Sequence, residues 1–374
     1  MLDDKKNKGE PLPYLANINV RWGDFDLENL REMRFEHDEI DRYGLKYGDI
    51  VMCEGGEPGR CAIWKESVPG MMIQKAIHRI RPHACIDHRF LFYSFLHKGR
   101  SGAFAPLFTG ATIKHLPREK LAKVAIEFPS IAVQGRIADI LSAYDDLIEN
   151  NRRRMALLED AARQLYREWF VRLRFPGHEH TRIQNGLPDG WEAKSFTDLA
   201  DFVNGYPFSP DELGDTGFPI VKIPELRSGI SDKTPRNTGE SIPEKYFLAD
   251  GDLLFSWSGT LLIEFWYDGP ALVNQHLFRV ESRAQCSAAF LLFALQEALP
   301  EFAGQSVGAT MKHIRKGALK TVTTIVPPAA LLHQFSSFSA EVFESILNLR
   351  RQNQRLRAAR DLLLPRLLSG EVVV

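Results

Sequence analysis

The chain has 374 residues, of which 44% are hydrophobic and 25% charged, so it is long enough for two or three domains with ordinary cores. Its formal net charge of -1 is not that of a basic domain that binds polyanions non-specifically. Four irregularly spaced cysteines exclude a disulfide framework, and no run of 18 apolar residues predicts a membrane span. We therefore expect a cytoplasmic protein that makes no contact with a membrane.

The first 130 residues are predicted to form a mixed, strand-rich domain. The run "DIVMC" at Asp49 is short, apolar and bounded by glycines, as strands are. The run "RFLFYSFLH" at Arg89 has the apolarity of a buried helix. The domain closes with the phrase "TGATIKHLPREKLAKVAIEFP", which runs from Thr109 to Pro129.

Residues 131–175 are predicted to form one long helix. From Ile137 to Trp169 the residues at alternate steps of four and three form a heptad seam, as in a coiled coil. A helix from Ile131 to Phe170 would span roughly 60 Å at 1.5 Å per residue. An amphipathic helix on an ordinary core is the alternative. The central positions of the seam are Leu141, Ile148, Asn151, Met155 and Leu158.

After a predicted linker over residues 176–190, the chain repeats itself. The run "DLLFSW" matches the first strand, "AAFLLFALQ" matches the buried helix, and "VGATMKHIRKGALKTVTTIVP" (307–327) aligns without a gap to the phrase 198 residues earlier. We call residues 109–129 and 307–327 the twin phrases. The repeat predicts a second domain over 191–328, and a second long helix with a C-terminal tail over 329–374. The central positions of its seam are Ile346, Leu349, Asn353 and Leu356.

The predicted fold class is α+β, with two mixed α/β domains separated by two long antiparallel coiled-coil helices and a pseudo-twofold internal repeat. The polar seam residues Asn151 and Asn353 suit control of helix register. One asymmetry stands out, because the second domain opens with "WEAKSFTDLADFVNGYPFS", which has almost no counterpart before Pro13. We expect the first domain to be N-terminally shortened or to obtain that strand from elsewhere.

These parts, in this order, resemble the specificity (S) subunit of type I restriction-modification enzymes over nearly the whole chain. The resemblance is carried by "YGDIVMCEGGEPGRCAIW", "QKAIHRIRP", the twin phrases and the two heptad helices. In that family each target recognition domain reads one half of a bipartite DNA sequence, and the helices form a spacer that docks two methyltransferase subunits. The resemblance implies double-stranded DNA and two methyltransferase (M) subunits as partners, with restriction (R) subunits bound indirectly.

The motifs that the sequence lacks agree with a non-catalytic subunit. It contains no phosphate-binding GxxxxGK[ST] loop and no methylase motif, so we expect no enzyme activity and no cofactor. His83 and Cys85 lack the close spacing of zinc ligands, so we expect no metal site. The rival interpretation is a coiled-coil protein-interaction adaptor without DNA specificity.

Candidate DNA-binding residues fall into two groups. The first lies in the twin phrases, where a lysine and a histidine recur; they would contact phosphate at both half-sites or belong to a tight turn. The second lies where the repeats differ, and supplies side chains that read guanine or adenine edges. Gln275, in the second group, also fits a satisfied interior amide. The first group is Lys114, His115, Lys312 and His313, and the second is Arg60, Asn204 and Gln275.

The charge of the second domain sets an expectation for affinity. Residues 191–330 contain 17 aspartates and glutamates against 12 lysines and arginines. Phosphate contacts supply most of the non-specific affinity for DNA, so an acidic domain binds weakly by itself. We therefore expect partner subunits to hold the duplex.

Overall fold

The computed structural model describes residues 7–28, 30–231, 233–283, 286–305, 313–314 and 317–374. The chain divides into two compact units. The first comprises Met1–Glu149 and Gln354–Val374, and the second comprises Asn150–Asn353. Both divisions fall inside long helices, so each unit contains one globular part together with a segment of each helix.

The first globular part and the first long helix consist of β1 (Glu10–Leu15), β2 (Val20–Arg21), β3 (Asp24–Phe25), β4 (Arg31–Phe35), α1 (His37–Tyr43), β5 (Ile50–Cys53), β6 (Cys61–Ile63), β7 (Met72–Ile73), β8 (Ile77–Ile80), α2 (His88–Arg100), α3 (Arg118–Leu121) and α4 (Ile131–Tyr166). An antiparallel sheet has the order β6-β5-β8, and a second sheet has the order β4-β1-β7, in which β1 and β7 are parallel. Helix α2 packs against the first sheet, because both contribute to one hydrophobic core.

The second globular part and the second long helix consist of β9 (Ile183–Gln184), β10 (Leu187–Pro188), β11 (Glu192–Ser195), α5 (Phe196–Leu199), β12 (Ala200–Asn204), β13 (Phe218–Val221), α6 (Ile223–Ser228), β14 (Arg236–Asn237), β15 (Phe247–Leu248), β16 (Leu253–Ser256), β17 (Leu262–Phe265), β18 (Ala271–Val273), β19 (Leu277–Ser282), α7 (Ala288–Gly304), α8 (Ala318–Thr321), β20 (Thr323–Val326) and α9 (Ala329–Leu368). Its main antiparallel sheet has the order β12-β19-β16-β17. Its other sheet, β14-β13-β18-β15, contains a parallel β13–β18 pair that corresponds to β1–β7.

The predicted repeat is therefore present in three dimensions. The runs predicted as strands are β5 and β16, and the runs predicted as buried helices are α2 and α7. Strand β5 lies between β6 and β8 as β16 lies between β17 and β19. The α+β fold class predicted from the sequence is confirmed.

The stretch that opens the second domain forms β11, α5 and β12. Strand β12 pairs with β19 along its whole length and so adds a fourth strand to the main sheet. The corresponding sheet of the first unit has three strands within the described residues. The sequence asymmetry thus corresponds to one strand of the sheet.

Within each unit the two helix segments run antiparallel. In the second unit, Asn151 lies beside Asn353, and the rings of Tyr166 and Phe335 are 6.0 Å apart. In the first unit, Ile137 shares a core with Leu364. Residue numbers rise along α4 as they fall along α9, as the predicted antiparallel pair requires.

The observed seam departs from the strict heptad near the end of α4. The heptad placed Leu165 and Trp169 in the seam, but Tyr166 and Phe170 are the buried residues there. A straight helix has 3.6 residues per turn and drifts by about 20° per heptad against a 3.5-residue repeat. The contact line therefore moves by one residue, and α4 ends in a π-helical turn over Arg167–Val171.

The predicted linker is more ordered than its composition indicated. Strands β9 and β10 pair across the dipeptide Asn185-Gly186, whose φ angles are 50° and 81°. Two consecutive residues with positive φ are what a two-residue hairpin turn needs. Among the described residues, no helix is both long enough and apolar enough to cross a bilayer.

Candidate DNA interface and helix surfaces

In both units the histidine of a twin phrase lies against a hairpin turn. In the first unit the turn joins β5 to β6, and His115 forms a β-bridge with Gly55 in it. In the second unit the turn joins β16 to β17, and His313 forms a β-bridge with Ser258. The next residue repeats the contact, since Leu116 N donates to the Glu54 carbonyl at 2.8 Å and Ile314 N donates to the Trp257 carbonyl at 2.9 Å. The two units thus build the same junction.

The first twin phrase opens with a closed loop. The backbone groups of Thr109 and His115 exchange two hydrogen bonds of 2.8 Å. Gly110 has a φ of 91°, and a Cβ there would collide with the Ile113 carbonyl, so the turn requires glycine. This geometry supports the tight-turn interpretation, and it leaves the side chain of Lys114 in solvent. Residues 306–312, including Lys312, lie outside the described part of the chain.

Arg60 lies in the first hairpin turn and points inward. Its Nη1 donates to Glu57 Oε2 at 2.9 Å, and its Nη2 donates to the Asn17 carbonyl at 2.8 Å. Its side chain is 16% exposed, and its buried Nε has no hydrogen-bond partner within the described part of the chain. Trp22 Nε1 donates to the other Glu57 oxygen at 2.8 Å. In this arrangement the guanidinium fixes the shape of the turn.

Trp257 contacts three of the candidate DNA-binding residues of the second unit. Its Nε1 donates to Asn204 Oδ1 at 3.2 Å and to the Gln275 carbonyl at 3.1 Å. Its ring lies 5.6 Å from the ring of His313, whose buried Nδ1 has no hydrogen-bond partner among the residues that the structure describes. Ser258 Oγ is 3.2 Å from Nδ1 of His276. Three residues that the sequence proposed separately therefore meet at one tryptophan.

The sequence analysis did not single out Trp257 or His276. Neither has a counterpart of the same type in the first unit, where Glu54 takes the place of Trp257. A tryptophan directly after a predicted strand and before a Ser-Gly turn was the available signal.

Most of the predicted seam residues lie between the helices. Leu141, Ile148, Ile346, Leu349, Asn151 and Asn353 are buried, whereas Met155, Leu158 and Leu356 are half-buried. Asn151 Nδ2 donates to Asn353 Oδ1 at 2.9 Å and to Gln352 Oε1 at 3.1 Å. The centre of the seam is thus apolar, with a hydrogen-bonded polar layer at Asn151 and Asn353.

Two apolar residues at equivalent positions of the long helices face solvent. Ile140 of α4 is 36% exposed and Phe338 of α9 is 40% exposed, and the two are 198 residues apart, as the twin phrases are. An exposed phenylalanine on a helix is a candidate contact residue for a partner protein. The seam pattern did not indicate these positions, because they lie outside it.

A carboxylate with an altered pKa lies in the second unit. Burial raises the pKa of Glu264 on β17 to about 7, and the negative charge of Glu159 on α4 adds to the shift. Arg350 and Arg163 act in the opposite direction. Glu264 therefore takes up its negative charge near neutral pH, beside the charged side chains of Glu159, Arg163 and Arg350 on the long helices.

Comparison with known proteins is consistent with these features. Residues 25–160 and 188–338 match the family described as the type I restriction modification DNA specificity domain. The type I restriction enzyme MjaIX specificity subunit of Methanocaldococcus jannaschii is 27% identical over 346 residues, which cover 87% of this chain and 78% of that protein. The HindI specificity subunit of Haemophilus influenzae is 21% identical over 402 residues, covering 88% of this chain and 87% of that protein.

The fold also resembles a solved structure. The crystal structure of a type I restriction-modification S subunit from M. genitalium matches with a TM-score of 0.50 and 16% identity, covering 98% of this chain and 91% of that one. The duplicated domain, matched twice at the positions of the internal repeat, accounts for most of the sequence. The chain therefore belongs to the type I restriction-modification DNA specificity family, and its function is that of a specificity subunit.

Proposed function

We propose that residues 1–130 and 191–328 are two target recognition domains, each of which reads one half of a bipartite sequence in double-stranded DNA. The observation that carries this proposal is the contrast between the two hairpin turns. Each is held in the same way by the histidine of a twin phrase, yet Arg60 and Glu57 occupy one turn while Trp257 and Ser258 occupy the other. A shared frame with different side chains suits two domains with different sequence preferences.

The twin phrases and the turns take different roles in this proposal. Lys114 and Lys312 contact phosphate at the two half-sites, which positions each domain without selecting a base. Asn204 and Gln275 lie around Trp257 and supply the amides that suit adenine. Arg60 holds its turn in shape, so it acts on the bases through its neighbours.

The proposed partners are two methyltransferase subunits, which recruit restriction subunits, and the chain itself is non-catalytic. The acidic second domain supports a need for partners, because it supplies few cations for phosphate contacts. The long helices, over 131–175 and 329–374, set the spacing of the half-sites and dock the partners, while 176–190 links the two repeats. Ile140 and Phe338 mark the two docking surfaces.

A domain exchange tests the proposal. Residues 191–327 are replaced by the corresponding segment of a related specificity subunit, and the modified genome is sequenced for methylated motifs. We expect one half of the motif to change and the other half to stay, because each domain reads independently. Exchange of the linker residues 176–190 alone is the control and leaves both halves unchanged. A change in both halves after the domain exchange contradicts independent reading, and an unchanged motif favours the adaptor without DNA specificity.

A further inference from the structure

A partly buried polar cluster joins three helices of the first unit. Tyr93 on α2 donates its hydroxyl to Asp145 Oδ2 on α4 at 2.7 Å. Arg360 on α9 forms an ion pair with the other oxygen of Asp145, and its Nη2 donates to Asp361 Oδ1 at 2.8 Å. Tyr93 is 2% and Arg360 is 8% exposed. The first globular part and both helix segments of this unit are thus connected through a buried tyrosine, a buried arginine and two partly exposed carboxylates.

The same place in the second unit is apolar. Helices α2 and α7 follow the capping residues Asp87 and Ser287, so Tyr93 corresponds to Phe293. The offset of 198 residues in the long helices makes Asp145 correspond to Phe343, and Arg360 to Ala162. The rings of Phe293 and Phe343 are 6.1 Å apart, and both share a core with the fully buried Ala162. All three polar positions have therefore been exchanged together.

This difference affects how the helices can pair. Because the repeat is pseudo-twofold, two copies of α4 offer the same antiparallel packing that α4 and α9 offer. In such a pair, Asp145 would face Ala162 of the other copy, and in a pair of α9 copies Arg360 would face Phe343. Asp145 and Arg360 would each lose the ion pair that joins them, and Arg360, whose side chain is 9% exposed, would face an aromatic ring instead of a carboxylate, which is unfavourable.

The polar layer of the second unit also disfavours pairs of identical helices. Asn151 bonds to Asn353, but the corresponding residues of the repeat are Leu349 and Met155. A pair of α4 copies would place Asn151 against Met155, and a pair of α9 copies would place Asn353 against Leu349. A buried amide without a partner costs free energy, and a single polar seam residue can fix which helices pair.

We infer that the Tyr93–Asp145–Arg360 cluster, together with the asparagine layer, determines helix pairing: it stabilises the pair of α4 with α9 and destabilises a pair of two α4 copies. The surface formed by α2 and α4 therefore binds the C-terminal segment of α9, which carries Arg360. A second copy of α4 would fit the same backbone geometry but has alanine at the position of Arg360. Replacement of a whole buried ionic cluster by apolar residues is tolerated in folded proteins, whereas loss of one member is not. The cluster therefore contributes to the choice of partner.

The test uses the full chain with a protease site inserted after His180, in the exposed linker. The purified protein is cleaved without denaturant and diluted so that the folded halves separate and exchange partners, and the resulting complexes are counted by native mass spectrometry. We expect complexes of one first half with one second half to exceed complexes of two equal halves by more than about tenfold. Random pairing of the wild-type halves overturns the inference.

The variant Tyr93→Phe/Asp145→Phe/Arg360→Ala gives the first unit the apolar residues of the second. We expect this variant to fold and to increase the share of complexes of two equal halves several-fold. A second variant, Asp145→Asn/Arg360→Gln, removes the same charges with neutral residues of similar size and should have the same effect. The control, Arg89→Ala/Asp139→Ala, removes an exposed ion pair between α2 and α4 that does not involve α9. Wild-type pairing in both neutralised variants overturns the role of the cluster, and altered pairing in the control shows that any lost ion pair has the same effect.

Discussion

Asn151 Nδ2 donates a hydrogen bond of 2.9 Å to Asn353 Oδ1 at a level where both side chains are at most 5% exposed. Because the two residues lie on different helices, the bond forms at one register only. A shift of one helix by a turn would place each amide against apolar side chains. The layer is less stabilising than apolar residues would be, but it fixes the alignment of α4 and α9.

This bond predicts a non-additive pair of substitutions. Asn353→Leu alone leaves the Asn151 amide short of an acceptor, so the free energy of unfolding should fall by about 1–3 kcal/mol. Asn151→Leu together with Asn353→Leu creates an apolar layer and should recover that loss or exceed it. Urea unfolding of the two single variants and the double variant measures the coupling. Additive effects of the two substitutions would contradict the paired layer.

The substitution Glu264→Gln should change how stability depends on pH. Glu264 has a pKa of about 7 in the folded chain, against 4.5 for an ordinary glutamate. Below pH 4.5 both states hold the proton, and between pH 4.5 and 7 the unfolded chain releases it first. Stability is therefore lost as pH rises through this window, by about 3 kcal/mol for this group.

The measurement is the urea midpoint of wild type and Glu264→Gln at pH values from 4.5 to 8. The variant should gain stability relative to wild type as the pH rises, and the gain should level off above pH 7. Glu159→Gln, which removes the neighbouring charge, should shift the wild-type window to lower pH. A constant difference between wild type and Glu264→Gln at all pH values would exclude the raised pKa.

The exposed apolar positions predict the stoichiometry of assembly. Ile140→Asp or Phe338→Asp should each remove one of two bound methyltransferase subunits, and the double variant should bind none. Burying a carboxylate in an apolar interface is unfavourable, whereas both side chains are partly in solvent in the free chain, so its stability should change little. Native mass of the mixed proteins counts the bound copies.

The control for this prediction is Leu362→Asp. Leu362 is the more exposed residue, at 67%, but its counterpart in the repeat is Gln164, so it does not belong to an equivalent pair. It should leave the binding of both copies unchanged. Loss of a copy in this variant, or retention of two copies in the Ile140→Asp variant, would place the docking surfaces elsewhere.

The repeated architecture could be predicted from the sequence because each element occurs twice, so a prediction in one copy supports the same prediction in the other. Strands β5 and β16 and helices α2 and α7 were found from short apolar runs that occur twice, and a chance pattern seldom recurs at a fixed offset. The two helices were found from their heptads. The exact seam was not, because Tyr166 replaces Leu165 once the true helical period has accumulated its drift.

The site was less predictable than the fold. The inward turn of Arg60 depends on the Asn17 carbonyl, 43 residues away in the sequence, and no local pattern encodes that contact. The Tyr93–Asp145–Arg360 cluster joins three helices that are far apart in the sequence, and no local pattern around any member indicates the other two. Long-range pairs of this kind become visible only when the two copies are compared in space.

The last prediction concerns the spacing of the half-sites. Residues 131–149 of α4 are held to the first domain, because Gln134 accepts from the Asp87 amide and Ile137 and Leu141 are part of the domain core. An insertion before α4 would therefore lengthen only the loop that precedes the helix and would leave α4 in place against the first domain. Four residues inserted after Asn150 and four after Asn353 extend both helices at the same level. Each gains about one turn, or about 6 Å, with little rotation at 3.6 residues per turn.

Duplex DNA advances about 3.4 Å per base pair, so the insertion should lengthen the preferred gap by one or two base pairs and keep both half-sequences. The measurement is methylation, by the complex with methyltransferase, of a DNA library with a randomised gap. Two residues inserted at each place are the control, because they rotate the seam by about half a circle and should abolish methylation at every gap. If the four-residue variant methylates the original gap as well as wild type does, the helices do not set the spacing.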